Sequence, residues 1–313
     1  MTSNDQPAEP VTPLIFASTR KPRTWWWFFL RILLIYVGIP YLFLFGLMAV
    51  KQRALIYQAR KTDRLSVELM TGMEAPAEDV EIQTDDGLTL HGWWFHGRSP
   101  DVASQKYLVI YFPGNAGCRE NRIGDCRDFT MLGCDVVLFD YRGYGDNPGS
   151  PTEEWLGADA RRVWQLATEQ RHVPADRIIL FGESLGGAMA TRLAAEKSAE
   201  GTPPAALVLN SVFASLGETA GWHYPVFPVR AVLLDQHPSV KRIPRVTCPI
   251  MQFHGTADTV VPWQHGRRLF DAAPAQSQRG IEKEFVSIPD GEHNYISMSH
   301  MHEALRGLFA KLE

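Results

Sequence analysis

A serine between two glycines joins two very different runs, and this junction constrains the fold more than any other part of the chain. Arg177-Ile178-Ile179-Leu180-Phe181 has the apolar, β-branched character of a buried strand. Gly187-Ala188-Met189-Ala190-Thr191-Arg192-Leu193-Ala194-Ala195 has that of a tightly packed helix. Between them stands Gly182-Glu183-Ser184-Leu185-Gly186. Strand, sharp turn and helix with a serine at the tip make a nucleophile elbow, whose glycines avoid collision with neighbouring backbone. A bare G-x-S-x-G arises by chance in roughly one chain in ten of this length, so the flanking pattern carries the weight.

The surrounding sequence extends that pattern into an α/β fold. Residues 80–83 alternate as a strand, Asp85-Asp86-Gly87 is a turn, and 88–95 forms the second arm of a hairpin. Apolar strands are predicted at 107–112, 135–140, 206–210, 250–254 and 284–288. Helices are predicted at about 120–131, 153–169, 185–197 and 298–312. This alternation implies a mostly parallel sheet with helices on both faces, entered through an antiparallel hairpin. Residues 211–244 break the alternation with Trp222, His223, Tyr224, Pro225, Phe227 and Pro228, and are expected to form a small cap over the sheet's carboxyl edge.

The N-terminus implies a membrane. Residues 1–24 are expected to form a disordered tail, polar and rich in Pro, Ser and Thr up to Lys21. Trp25-Trp26-Trp27-Phe28-Phe29-Leu30-Arg31 leads into the uncharged run 32–50. As a helix that run is about 28 Å long, close to the hydrocarbon thickness of a bilayer. It is long for the core of a cleaved signal peptide, and no A-x-A site follows it. The expected organisation is therefore one transmembrane helix at 25–50, a linker at 51–77 and a catalytic domain at 78–313. Arg20, Lys21 and Arg23 precede the helix, and Lys51, Arg53, Arg60, Lys61 and Arg64 follow it. The count leans towards a cytoplasmic domain by a small margin.

A net charge of −4 gives no sign of a nucleic-acid partner. Cys118, Cys126, Cys134 and Cys248 lack metal-type spacing and are expected as buried free thiols. There is no H-E-x-x-H-type cluster, so neither metal nor cofactor is expected.

Ser184 needs a base, and the base needs a carboxylate to fix its tautomer. In an elbow fold these follow the serine in the order acid, then histidine. Asp258, in the turn after the 250–254 strand, is the candidate acid; its competing role is to cap the helix near Pro262. Asp235 falls in the cap, and Asp290 and Glu292 are too close in sequence to His293 to orient it easily. His293, in the loop Asp290-Gly291-Glu292-His293-Asn294, is the candidate base. His300 and His302 are expected on a solvated helix surface, and His265 lacks a matching context. The oxyanion needs two donors. The backbone N–H of Leu185 is one, and that of Asn115 in Pro113-Gly114-Asn115-Ala116-Gly117 is the other, with Ala116 the alternative. Glu183 is read as a neighbour without a catalytic part, and Asp140-Tyr141-Arg142-Gly143-Tyr144-Gly145 as a structural loop at the same edge.

With these motifs the chain resembles the alpha/beta-hydrolase superfamily over roughly residues 80–312. It is most similar to the small membrane-anchored branch of bud-emergence-type proteins, often labelled serine aminopeptidase-like. The resemblance implies Ser184, Asp258 and His293 as a triad working through an acyl-enzyme without a cofactor. Pro113 departs from the histidine many members carry there. The leading expectation is a membrane-anchored serine hydrolase acting on small acyl or lipid-like esters. An aminopeptidase or amidase would use the same triad, and a non-catalytic scaffold or ligand-binding protein on this fold is the alternative of another class.

Overall fold

The computed structural model describes residues 25–69, 76–98, 107–294 and 298–313. The expected disordered tail at 1–24 lies outside the described residues, as does part of the 51–77 segment. The chain divides into two units, Met1–Leu47 and Met48–Glu313.

In the first unit, α1 (Trp25–Leu33) continues through a π-helical turn (Leu34–Gly38) into α2 (Ile39–Ile56). Pro40 has no N–H to give to the carbonyl four residues back, and the ladder before it widens, with Ile39 N–H bonding Leu34 O. The stretch Trp25–Ile56 is long and apolar enough to cross a membrane, with a mean hydropathy of 2.3 over its most apolar window and none of that window buried.

The second unit begins within the last turns of the apolar helix and leads into a separate two-stranded sheet. Sequence reading makes 51–77 a linker, but its first part is packed. α2 runs on to Ile56, and β1 (Gln58–Ala59) pairs in parallel with β5 (Ala116–Gly117). β2 (Ala77–Gln83) and β3 (Thr89–Phe95) form the expected hairpin. Then come β4 (Leu108–Phe112), α3 (Ile123–Met131), β6 (Asp135–Phe139), α4 (Glu153–Gln165), β7 (Ile178–Glu183), α5 (Leu185–Ala199) and β8 (Ala206–Asn210). The segment expected as a cap, called the cap below, contributes α6 (Leu216–His223), α7 (Val229–Val232) and α8 (Ser239–Arg242). β9 (Ile250–Gly255), α9 (Trp263–Ala272), β10 (Glu284–Ile288) and α10 (Met298–Leu312) complete the chain.

The eight-stranded sheet has the order β10-β9-β8-β7-β4-β6-β3-β2. It is parallel from β10 to β6 and antiparallel at β3. Strand alternation sends successive side chains into two cores. Leu108, Ile110, Ile178 and Leu180 face α4 and α5. Val109, Tyr111, Ile179 and Phe181 face α3 and α10. Both faces are apolar, so the central strands read as continuous hydrophobic runs. All four cysteines are buried free thiols, and burial pushes Cys134 and Cys248 up to about 12.

Candidate active site

Ser184 sits between β7 and α5 at φ 50°, in a region non-glycine residues rarely occupy. The strain is held from both sides, because Ser184 N–H donates to Asn210 O at 2.9 Å and Gly187 N–H to Ser184 O at 3.0 Å. The glycines make this possible. A Cβ on Gly182 would strike the Gly187 backbone, and one on Gly186 would strike the Phe112 carbonyl. The second collision also shows how closely the start of α5 approaches the loop after β4.

The candidate acid and base follow β9 and β10, beyond the intervening β8. A Cβ on Gly255, at the end of β9, would meet the Gly291 backbone. That close approach lets Ala257 N–H donate to Gly291 O at 3.0 Å and joins the Asp258 turn to the His293 loop. His293 Nδ1 lies 2.7 Å from Asp258 Oδ2, and His293 Nε2 lies 3.1 Å from Ser184 Oγ. Asp258 Oδ1 meanwhile accepts from Val260 N–H at 2.9 Å and Val261 N–H at 2.8 Å. The carboxylate thus braces its own turn with one oxygen and faces the histidine with the other.

His254 lies beneath this pair, fully buried. Sequence reasoning assigned it no part. Its Nε2 is 2.8 Å from Val261 O and 3.4 Å from Asp258 Oδ2. Burial pushes its pKa down, so a neutral ring donating to Val261 O fits better than an ion pair with Asp258. Gly266 makes room, since a Cβ there would strike the imidazole.

The two expected oxyanion donors lie on either side of the α5–β4 contact. Leu185 is the first residue of α5, so its N–H has no partner within the helix. Asn115 is fixed by its other groups: Tyr144 OH donates to its carbonyl at 3.0 Å, and its Nδ2 donates to Ile56 O at 2.9 Å. Tyr141 OH donates to Pro113 O at 2.7 Å. The Tyr141–Tyr144 loop therefore supports the glycine-rich loop through two phenols. Glu183 accepts from Arg122 Nε at 2.8 Å and Arg122 Nη2 at 3.0 Å.

The remaining candidates fall elsewhere. Asp235 pairs with Arg53 at 3.0 Å. His265 lies 3.1 Å from Thr219 Oγ1 and against the Trp222 ring. His300 is exposed on α10, but His302 is half-buried with Nε2 enclosed, so only one of the pair matches the expected solvated surface.

The family model described as alpha/beta hydrolase fold matches residues 107–222, from β4 through the elbow to α6. The chain is 41% identical to an uncharacterised protein of Mycobacterium tuberculosis over 246 residues, 78% of this chain and 81% of that one. The chain belongs to the alpha/beta-hydrolase superfamily. Within it, the chain is 32% identical to the lysophosphatidylserine lipase ABHD12 of Macaca fascicularis over 265 residues, covering 76% of this chain and 66% of that one. Among solved alpha/beta hydrolases, the Vibrio vulnificus structure superposes with a TM-score of 0.65 at 18% identity, over 83% of this chain and 91% of that one. At that identity the likeness shows the shared fold.

Proposed function

We propose that this protein is a serine hydrolase cleaving carboxylic esters with apolar acyl groups, tethered to a membrane by its N-terminal helix. The observation that carries the reading is the relay of 3.1 Å from Ser184 Oγ to His293 Nε2 and 2.7 Å from His293 Nδ1 to Asp258 Oδ2. His293 takes the Ser184 proton as the oxygen attacks the ester carbonyl, and Asp258 stabilises the imidazolium. The Leu185 and Asn115 N–H groups receive the oxyanion. His293 then protonates the leaving alcohol, and water, activated the same way, releases the acid.

The apolar acyl preference draws on the exposed Trp222, Tyr224 and Leu234 of the cap and on the likeness to a lipase. The membrane tether draws on the length and composition of Trp25–Ile56.

The test is fluorophosphonate labelling of the full chain, followed by acyl esters of graded chain length against aminoacyl amides. The expected outcome is labelling at Ser184, a preference for esters, and loss of turnover on the order of 10⁶-fold in Ser184→Ala. A preference for amides would make the protein an aminopeptidase or amidase. A folded protein that neither labels nor turns over any substrate would be a binding protein on this fold.

A further inference from the structure

The segment joining the apolar helix to the sheet touches two parts of the candidate site at once. On one side it holds the cap. Gln52 Nε2 donates to Val232 O at 3.3 Å, Leu234 N–H donates to Gln52 Oε1 at 2.7 Å, Arg53 Nε donates to Asp235 Oδ2 at 3.0 Å, and Tyr57 OH lies 3.0 Å from His237 Nε2. On the other side it holds the glycine-rich loop. Ile56 O accepts from Asn115 Nδ2 at 2.9 Å, and Gln58 and Ala59 pair with Ala116 and Gly117. The next residues bind the end of the Tyr141–Gly145 loop, with Gly145 N–H donating to Arg60 O at 2.8 Å and Thr62 N–H to Gly145 O at 3.0 Å.

These contacts differ from those of a tether. A tether needs only length, whereas this stem is buried at Gln52 and Tyr57, and it and the residues just after it bond to three separate chain segments. Asn115 is the key residue. Its carbonyl is held by Tyr144 and its side-chain amide by Ile56, so the residue that carries this N–H is restrained through both its following peptide and its side chain. Oxyanion donors act through direction as well as distance, and one donor is worth about 10²–10³ in turnover. A misplacement of about 1 Å costs around 10².

We propose that Gln52–Ala59 is a positioning element of the Ser184 site, clamping the oxyanion loop to the cap and setting the direction of the Asn115 N–H through the Asn115–Ile56 bond. The proposal rests on the reading of Ser184 as nucleophile. Under it, the membrane stem is part of the catalytic scaffold, and turnover depends on it even towards a soluble ester in detergent.

The test uses the full chain in detergent with a short soluble ester, rates being normalised to active sites titrated with fluorophosphonate. Asn115→Ala is expected to lose about 10- to 100-fold in kcat per titrated site, with KM within about twofold. Asn115→Asp, which keeps the shape but not the donor, should fall as far. Arg53→Ala combined with Tyr57→Phe loosens the stem from the cap and should lower kcat about three- to tenfold. Adding Asn115→Ala to that pair should lower it no further than Asn115→Ala alone, because residues acting through one contact are not additive. The affinity of a boronic acid, which forms a tetrahedral adduct on the serine, should weaken in step with kcat. Wild-type kcat per site in Asn115→Ala, retention of activity in Asn115→Asp, or additive losses would each overturn the stem proposal while leaving Ser184 as the nucleophile. A wild-type chain that fails to label would overturn both.

Discussion

A Cβ on Gly255 would run into the backbone of Gly291, and this close contact joins the turn of the candidate acid to the loop of the candidate base. Gly255→Ala must therefore push the Asp258 turn away from the His293 loop and lengthen their 2.7 Å bond. The expected loss is about 10²-fold or more in kcat with a smaller change in KM, alongside about 1–3 kcal/mol of stability; steady-state kinetics and a thermal melt read the two separately. Asp258→Asn makes the complementary test. Its side-chain oxygen can still accept from Val260 and Val261 N–H, as Asp258 Oδ1 does, so the turn should survive. What is lost is the charge that fixes the His293 tautomer, and turnover should fall about 10⁴-fold without a matching fall in melting temperature. Equal losses of activity and folded fraction would mean that Asp258 serves mainly the turn.

At the scale of elements, the strands and helices were legible because their signals are local. The run Ile178–Phe181 is apolar on both sides because β7 is buried on both faces, and the serine's positive φ follows from a turn that its flanking glycines announce. The stem was not legible. Gln52, Arg53 and Tyr57 look like the start of a basic linker, and their partners lie some 180 residues away. His254 was hidden for a related reason: a strand-end histidine reveals its burial only when α9 supplies Gly266 beside it. A cap residue that the stem covers also carries a titration. His237 is fully buried against Tyr57, with Glu153, Asp235, Arg192 and Arg242 nearby, and burial lowers its pKa from 6.5 to about 4. A depressed folded-state value means the unfolded chain binds the proton more readily. His237 therefore favours the fold fully above pH 6.5, and that contribution is lost as pH falls towards about 4. The whole effect is at most on the order of a few kcal/mol. The melting temperature of the wild type should fall across this window more steeply than that of His237→Gln, whose side chain does not titrate. Parallel curves would assign the acid sensitivity to other groups.

For the molecule as a whole, the decisive question is whether Trp25–Ile56 spans a bilayer, since an apolar helix near an N-terminus can also be a cleaved signal. The structure bears on this through length. α2 continues unbroken from Ile39 to Ile56, carrying the helix past the apolar run and into the stem contacts of Gln52 and Arg53. A peptidase needs an extended, accessible segment after the apolar core, and residues 51–56 are helical. The intact mass of the membrane-extracted protein should therefore include the N-terminal helix, and the protein should resist release by alkaline carbonate. Phe43→Arg with Leu44→Arg places two charges within the apolar run, at about 2.5–3.5 kcal/mol each near a helix centre, and should shift the protein into the soluble fraction. The stem contacts lie beyond the altered turn, so the released variant should keep its kcat per titrated site towards a soluble ester. Release with activity retained would separate anchoring from catalysis: the apolar helix holds the enzyme at the membrane, and the stem holds the oxyanion loop in place. A mature chain starting after residue 50 would identify the helix as a signal sequence, and carbonate release of the intact wild type would remove the case for a membrane span.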